Sequence, residues 1–116
     1  MRKKITVVTM GQSPVDPQTH DVYRMLAQAC DVELRGILDG MSEAEAEMLA
    51  PEGGELFIVT SLRTGREVRL AERNAIRLVN ERLLEAEQSG SAAALIFCTG
   101  HFDIPETVSY THLTLP

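Results

Sequence analysis

Tryptophan is absent from this 116-residue chain and aromatic residues make up only 4% of it, so any core must be aliphatic. Cysteine occurs twice, at Cys30 and Cys98. Two are too few for a disulfide framework and lack metal-ligand spacing. His20, His101 and His112 form no metal motif either, so no metal and no cofactor is expected. Basic residues are in the minority, 11 against 17 acidic ones, for a formal net charge of -6. The acidic groups gather at Glu43, Glu45, Glu47, Glu52 and Glu55 and again at Glu81, Glu85 and Glu87. They read as solvated faces and argue against a nucleic-acid or anionic-membrane partner. No apolar run approaches the roughly 20 residues of a membrane span. Met1-Arg2-Lys3-Lys4 is charged like the start of a secretory signal. The apolar stretch at 5–10 is too short for a signal core, so a cytoplasmic location is the expectation.

What is present is an ordinary globular composition, 44% hydrophobic and 24% charged, with room for one domain or part of a larger one. The β-branched run Ile5-Thr6-Val7-Val8-Thr9-Met10 predicts a first strand, broken by Gly11-Gln12-Ser13-Pro14. Asp16-Pro17 supplies an N-cap and a proline at the first helical position. Val22, Met25, Leu26, Ala29 and Cys30 recur at helical spacing, which predicts a helix to about residue 30 with Cys30 as a buried core thiol. A second strand is expected over 31–38, ended by Asp39-Gly40. Ser42-Glu43-Ala44-Glu45 has capping-box form and predicts a short helix over 43–50. Residues 56–62 and 67–70 predict a β-hairpin with the two-residue turn Thr64-Gly65 between Arg63 and Arg66. An amphipathic helix over 72–88, with Ala75, Ile76, Val79, Leu83 and Ala86 on one stripe, ends at Ser89-Gly90. A last strand spans 92–97. This order favours an α/β fold, a mostly parallel sheet flanked by helices with an inserted β-hairpin.

Three features converge on one rim in such a sheet, where ligands collect beyond the carboxyl ends of the strands. Cys98 ends the apolar run Ala92-Ala93-Ala94-Leu95-Ile96-Phe97 and is either a reactive thiol or a buried strand-end cysteine. Thr99 offers a hydroxyl, and the amides near Gly100 an anion-holding turn. Gly11, Gln12 and Ser13 form the loop after the first strand, where glycine permits close backbone approach and the other two bring neutral donors. The loop has neither a dinucleotide fingerprint nor a phosphate-loop lysine, and an ordinary strand-to-helix turn reads the same way. Arg63 or Arg66 at the hairpin tip would be a carboxylate clamp, or else a solvated turn residue. His101 would tune a thiolate at Cys98 or lie on the surface.

The opening strand with Thr9-Met10-Gly11-Gln12-Ser13-Pro14 is followed in order by four further pieces. They are Leu38-Asp39-Gly40, Leu49-Ala50-Pro51-Glu52, the hairpin from Val59 through Arg63-Thr64-Gly65-Arg66 to Val68, and Cys98-Thr99-Gly100. Together they resemble the N-terminal half of an AroM family protein, from residue 5 to about 105. The family is similar to the aspartate/glutamate racemase superfamily. The resemblance implies one half of a two-domain racemase-like fold, with a cysteine from each half facing a central cleft and no cofactor. It implies Cys98 as the first-half catalytic cysteine, Thr99 and Gly100 as the anion-holding turn, and Gln12 and Ser13 as substrate-facing. On this reading residues 1–107 are the α/β half. Residues 108–116, Val-Ser-Tyr-Thr-His-Leu-Thr-Leu-Pro, are expected to be a non-native tail resembling sequencing-adaptor read-through.

The resemblance implies an intact parent that is a cysteine-based racemase, isomerase or lyase acting on a small carboxylate or amino acid, with this chain an inactive fragment of it. The alternative is a non-catalytic binding or sensor protein linked to aromatic amino-acid biosynthesis.

Overall fold

Val7 and Val8, adjacent in a β-branched run, are both wholly buried, and since neighbouring strand residues point to opposite faces this strand is covered on both sides. The computed structural model describes residues 2–98 and 111–114, with the backbone alone for Cys98 and 111–114. In it the run becomes β1 (Lys4–Thr9), paired in parallel with β2 (Asp31–Gly36) on one side and β5 (Ala93–Cys98) on the other. A further strand, β6 (Thr111–Thr114), pairs in parallel with β5, giving the order β2-β1-β5-β6. Thr9 lies opposite both Gly36 and Phe97, so the carboxyl ends of β1, β2 and β5 reach the same rim.

The predicted first helix is shorter and broken. Asp16 accepts the Gln18 amide at 3.0 Å and caps only a single 3-10 turn, Pro17–Thr19. His20 is extended (φ -96°, ψ 121°) and serves as N-cap of α1 (Asp21–Leu26). No residue of the first turn is buried, and the chain restarts at a second cap. Val22 is the one buried residue of α1, Met25 is 63% exposed, and Cys30 is only half-buried beyond the helix end rather than a core thiol.

The capping box forms as the sequence predicts and starts α2 (Glu43–Glu47). Ser42 and Glu45 exchange bonds of 3.0 and 3.1 Å, and the Ser42 amide, then its hydroxyl, holds the Glu45 carboxyl below its usual range. The hairpin of β3 (Phe57–Ser61) and β4 (Glu67–Ala71) is a separate antiparallel pair. Its loop has three residues, not two. The Gly65 amide donates to Leu62 O at 2.8 Å and the Leu62 amide to Arg66 O at 2.9 Å. Gly65 takes φ 89°, the left-handed position that closes a type I turn with a bulge and that a β-carbon would strain.

From the hairpin the chain passes directly into α3 (Glu72–Gln88). Arg73 at its start grips Glu55, which holds that carboxyl below and the guanidinium above their usual ranges. Leu78, Val79 and Leu83 of α3 pack with Leu62, Val68 and Leu70 of the hairpin and with Val8, Ile37, Leu38 and Ile96. Among the described residues the buried core is aliphatic, as the scarcity of aromatics predicts.

Candidate functional site

The loop after β1 is held by two other loops. A β-carbon on Gly36 would sit 2.6 Å from the Ser13 amide nitrogen and 2.7 Å from Asp39 Oδ1, and one on Gly11 would sit 2.7 Å from Ser61 O. Both glycines are therefore points of close backbone approach, a reading that the sequence supported for Gly11. Asp39 lies at the centre. Its carboxylate accepts from the Ser13 amide at 2.8 Å, the Ser13 hydroxyl at 2.7 Å and the Gly36 amide at 2.8 Å. Gln12 accepts the Arg63 amide at 2.9 Å and donates to Leu38 O and Met41 O at 3.4 and 3.2 Å. Arg63 Nε donates to Ser13 O, and its Nη2 reaches Ser13 Oγ at 3.3 Å and stands 3.7 Å from Asp39 Oδ1.

This network brings Gly11, Gln12, Ser13 and Arg63 to one place, the carboxyl rim of the sheet. It also engages both ends of the Gln12 amide and the Ser13 hydroxyl within the protein, so these two hold the loop and the hairpin together. Arg66 turns away and pairs with Glu43 at 2.9 Å and with Glu47 on α2, so of the two tip arginines only Arg63 faces the rim. Beside Arg63 opens a cleft of about 480 Å³, lined by Gln12, Pro14, Val15, Thr19, His20 and Ser61 together with Leu62 and Arg63. The His20 ring stands edge-on to Phe97, with centroids 5.1 Å apart at 72°. Thr9 Oγ1, at the end of β1, is buried with no hydrogen-bond partner among the described residues.

The Cys98 backbone ends β5 in the strand position that the sequence predicts, one residue beyond Phe97. Thr99, Gly100 and His101 lie outside the described residues. Cys30 precedes Asp31, the first residue of β2, and so lies at the opposite end of the sheet. Six residues at about 3.3 Å each put it some 20 Å from the rim along the strand.

Sequence reasoning passed over Asp39 and His20. The signal for Asp39 was its place between a strand end and Gly40, where Asp side chains take nearby amides. His20 had no comparable local signal. Among the described residues no group of three His, Cys, Asp or Glu side chains could hold a metal ion, and no helix is long and apolar enough to cross a membrane.

These features define an α/β protein with a ligand-sized cleft at the carboxyl rim of a parallel sheet. The chain belongs to the AroM family, whose model, described as AroM protein, matches residues 5–115. No curated protein and no solved structure matches it. The family match overturns two expectations. The likeness does not stop near residue 105 as an N-terminal half would, and residues 108–115 lie inside the match instead of standing apart as sequencing-adaptor read-through. Thr111-His112-Leu113-Thr114 lies inside that match and adds a strand along the edge of β5, with Leu95 opposite Thr111 and Cys98 opposite Thr114.

Proposed function

We propose that the cleft binds a small carboxylate, free or as part of an amino acid, and that Cys98 exchanges the proton on the carbon beside it. The observation that carries this reading is the fixing of Arg63 at the lip. Its backbone amide is held by Gln12 and two of its guanidinium nitrogens by Ser13, while Nη1 has no partner among the described residues. A guanidinium held this way presents a preset edge to an incoming carboxylate, which accepts charge-assisted hydrogen bonds. Asp39, 3.7 Å from Arg63 Nη2, offsets part of the guanidinium charge while its own oxygens accept bonds from Ser13 and Gly36.

In the proposed step the Cys98 thiolate removes the proton from the α-carbon. The electron pair passes onto the carboxylate, where Arg63 and the amides after Cys98 stabilise it, and the thiol returns the proton. A thiol suits this work because its pKa can be drawn towards the working pH. The two-thiol scheme of the racemase-like enzymes needs a second cysteine facing the first. Cys30, at the far end of the sheet, does not serve, so the residues of this chain support exchange from one face of the carbon. Thr99 and Gly100 keep their proposed role as the anion-holding turn, and Gln12 and Ser13 take the role of shaping the cleft.

The test is loss of the α-carbon proton signal of amino acids and small dicarboxylates in deuterated water, followed by proton NMR. Exchange is expected with the native protein and should fall at least about 100-fold in Cys98→Ser, which keeps the same melting temperature. Exchange unaffected by that change would sink the proposal. Binding without any exchange in the native protein would convert it to the non-catalytic binding reading.

A further inference from the structure

We infer that His20 is a ligand-binding residue of this cleft, presenting its Nε2–H to the carboxylate that Arg63 takes; the inference rests on the carboxylate reading above. Gln12 has both amide ends engaged, and the Thr19 hydroxyl donates to Asp16 O at 2.8 Å. Pro14, Val15 and Leu62 have no polar side-chain atoms. There remain Ser61, Arg63 and His20.

Of these, His20 is fixed from two sides. Its Nδ1 accepts the Tyr23 amide at 3.5 Å as the N-cap of α1. Its ring packs edge-on against Phe97, the residue before Cys98. A ring nitrogen that accepts a hydrogen bond carries no proton, so in the neutral ring the proton is on Nε2. Among the described residues Nε2 has no acceptor, which leaves it as an uncommitted N–H donor. The position is informative too. The ring it packs against, Phe97, lies opposite Thr9 in the sheet and one residue before Cys98, where the thiol-bearing strand ends. An N–H donor lining the same cleft as the Arg63 guanidinium adds to the stabilisation of charge gathering on a carboxylate as the adjacent proton leaves.

The experiment pairs two variants with one probe and one spectrum. Succinate binding is measured by calorimetry for the native protein, His20→Phe and His20→Gln, and the tautomer of His20 is read from the ring nitrogen-15 shifts of the free protein. His20→Phe keeps a ring against Phe97 but has no donor. His20→Gln places an amide N–H near the Nε2 position. Neither Phe nor Gln is a good N-cap, so both should lose similar melting temperature, and a purely structural role would affect them equally. The expected result is roughly tenfold weaker binding for His20→Phe, the order of one lost hydrogen bond, with His20→Gln within about threefold of native. Native-like binding by His20→Phe, equal weakening in both variants, or a proton on Nδ1 would each overturn the inference while leaving the carboxylate reading in place. Failure of the native protein to bind succinate would overturn both.

Discussion

The two ends of the parallel sheet are held together in different ways. At the amino end exposed ion pairs stand beside hydrogen bonds from Arg2 to Cys30 O at 2.7 Å and between the Thr6 and Ser91 hydroxyls at 2.6 Å. Arg2 stands 3.6 Å from Asp31, with side chains 51% and 67% exposed, and Lys4 pairs with Glu33 at 2.9 Å. At the carboxyl rim the ties are mostly part-buried hydrogen bonds, with the exposed Arg63 amide bond to Gln12 and the Arg63–Asp39 ion pair at 3.7 Å beside them. They join three loops distant in sequence, through Gln12, Ser13, Asp39 and Arg63. Cys30 lies at the amino end, whereas the rim carries the described cleft and the end of the strand that bears Cys98. The physical difference lies in what happens when a tie is broken. An exposed charge returns to water at little cost, whereas a donor left without its acceptor in a shielded loop junction is stranded.

Asp39→Ala tests this most severely. It removes one acceptor and strands the Ser13 amide, the Ser13 hydroxyl and the Gly36 amide together. Hydrogen bonds to a charged group are each worth about 1.5–3 kcal/mol, and water will re-satisfy part of this set, so a loss of about 3 kcal/mol is expected in urea unfolding. A loss under about 1 kcal/mol would show that the rim is as yielding as the amino end and would break the comparison.

Gly36→Ala asks the same question sterically. The added methyl would meet backbone atoms of the β1 loop, including the Ser13 nitrogen at 2.6 Å, and backbone cannot swing aside as a side-chain tip can. Overpacking of this kind costs about 2 kcal/mol. Thermal melting would read it, at about 4–8 °C per kcal/mol for a domain of this size. An unchanged melting temperature would mean that the loop has slack.

The sequence foretold elements with long, regular patterns and missed those decided by a single residue. The β-branched run of β1, the span of α3 over Glu72–Gln88 and the Ser42–Glu45 capping box formed as read, although the buried stripe of α3 takes in Asn74 and Leu78 and leaves Ile76 half-buried. Each carries its own local physics. The first helix was over-extended because Met25, Ala29 and Cys30 have helical spacing, whereas the structure buries only Val22 of α1. The hairpin loop was one residue short because Gly65 was read as part of a two-residue turn rather than as the bulge that follows one. At the site, residue types were legible and their partners were not. Arg63 and Gln12 both stood out, but that one holds the other depends on a contact 51 residues apart, which no local window contains. His20 was invisible for the same reason, since its meaning comes from Phe97, 77 positions on.

The smallest expected effect belongs to the amino end. Lys4 Nζ donates to Ser89 Oγ at 3.1 Å and pairs with Glu33, a more connected arrangement than most exposed pairs have. Its side chain and that of Glu33 are each 34% exposed, so both ions regain hydration when parted. The attraction gained is offset by the entropy of holding a long side chain in one geometry, and such pairs are worth about 0–1 kcal/mol. Lys4→Ala should therefore lower stability by about 0.5 kcal/mol, and 1 M salt should shrink even that difference, because screening at that strength acts over about 3 Å. A loss comparable to that of Asp39→Ala, insensitive to salt, would mean that the contrast between the two ends reflects burial of the Lys4 stem rather than the chemistry of the ties.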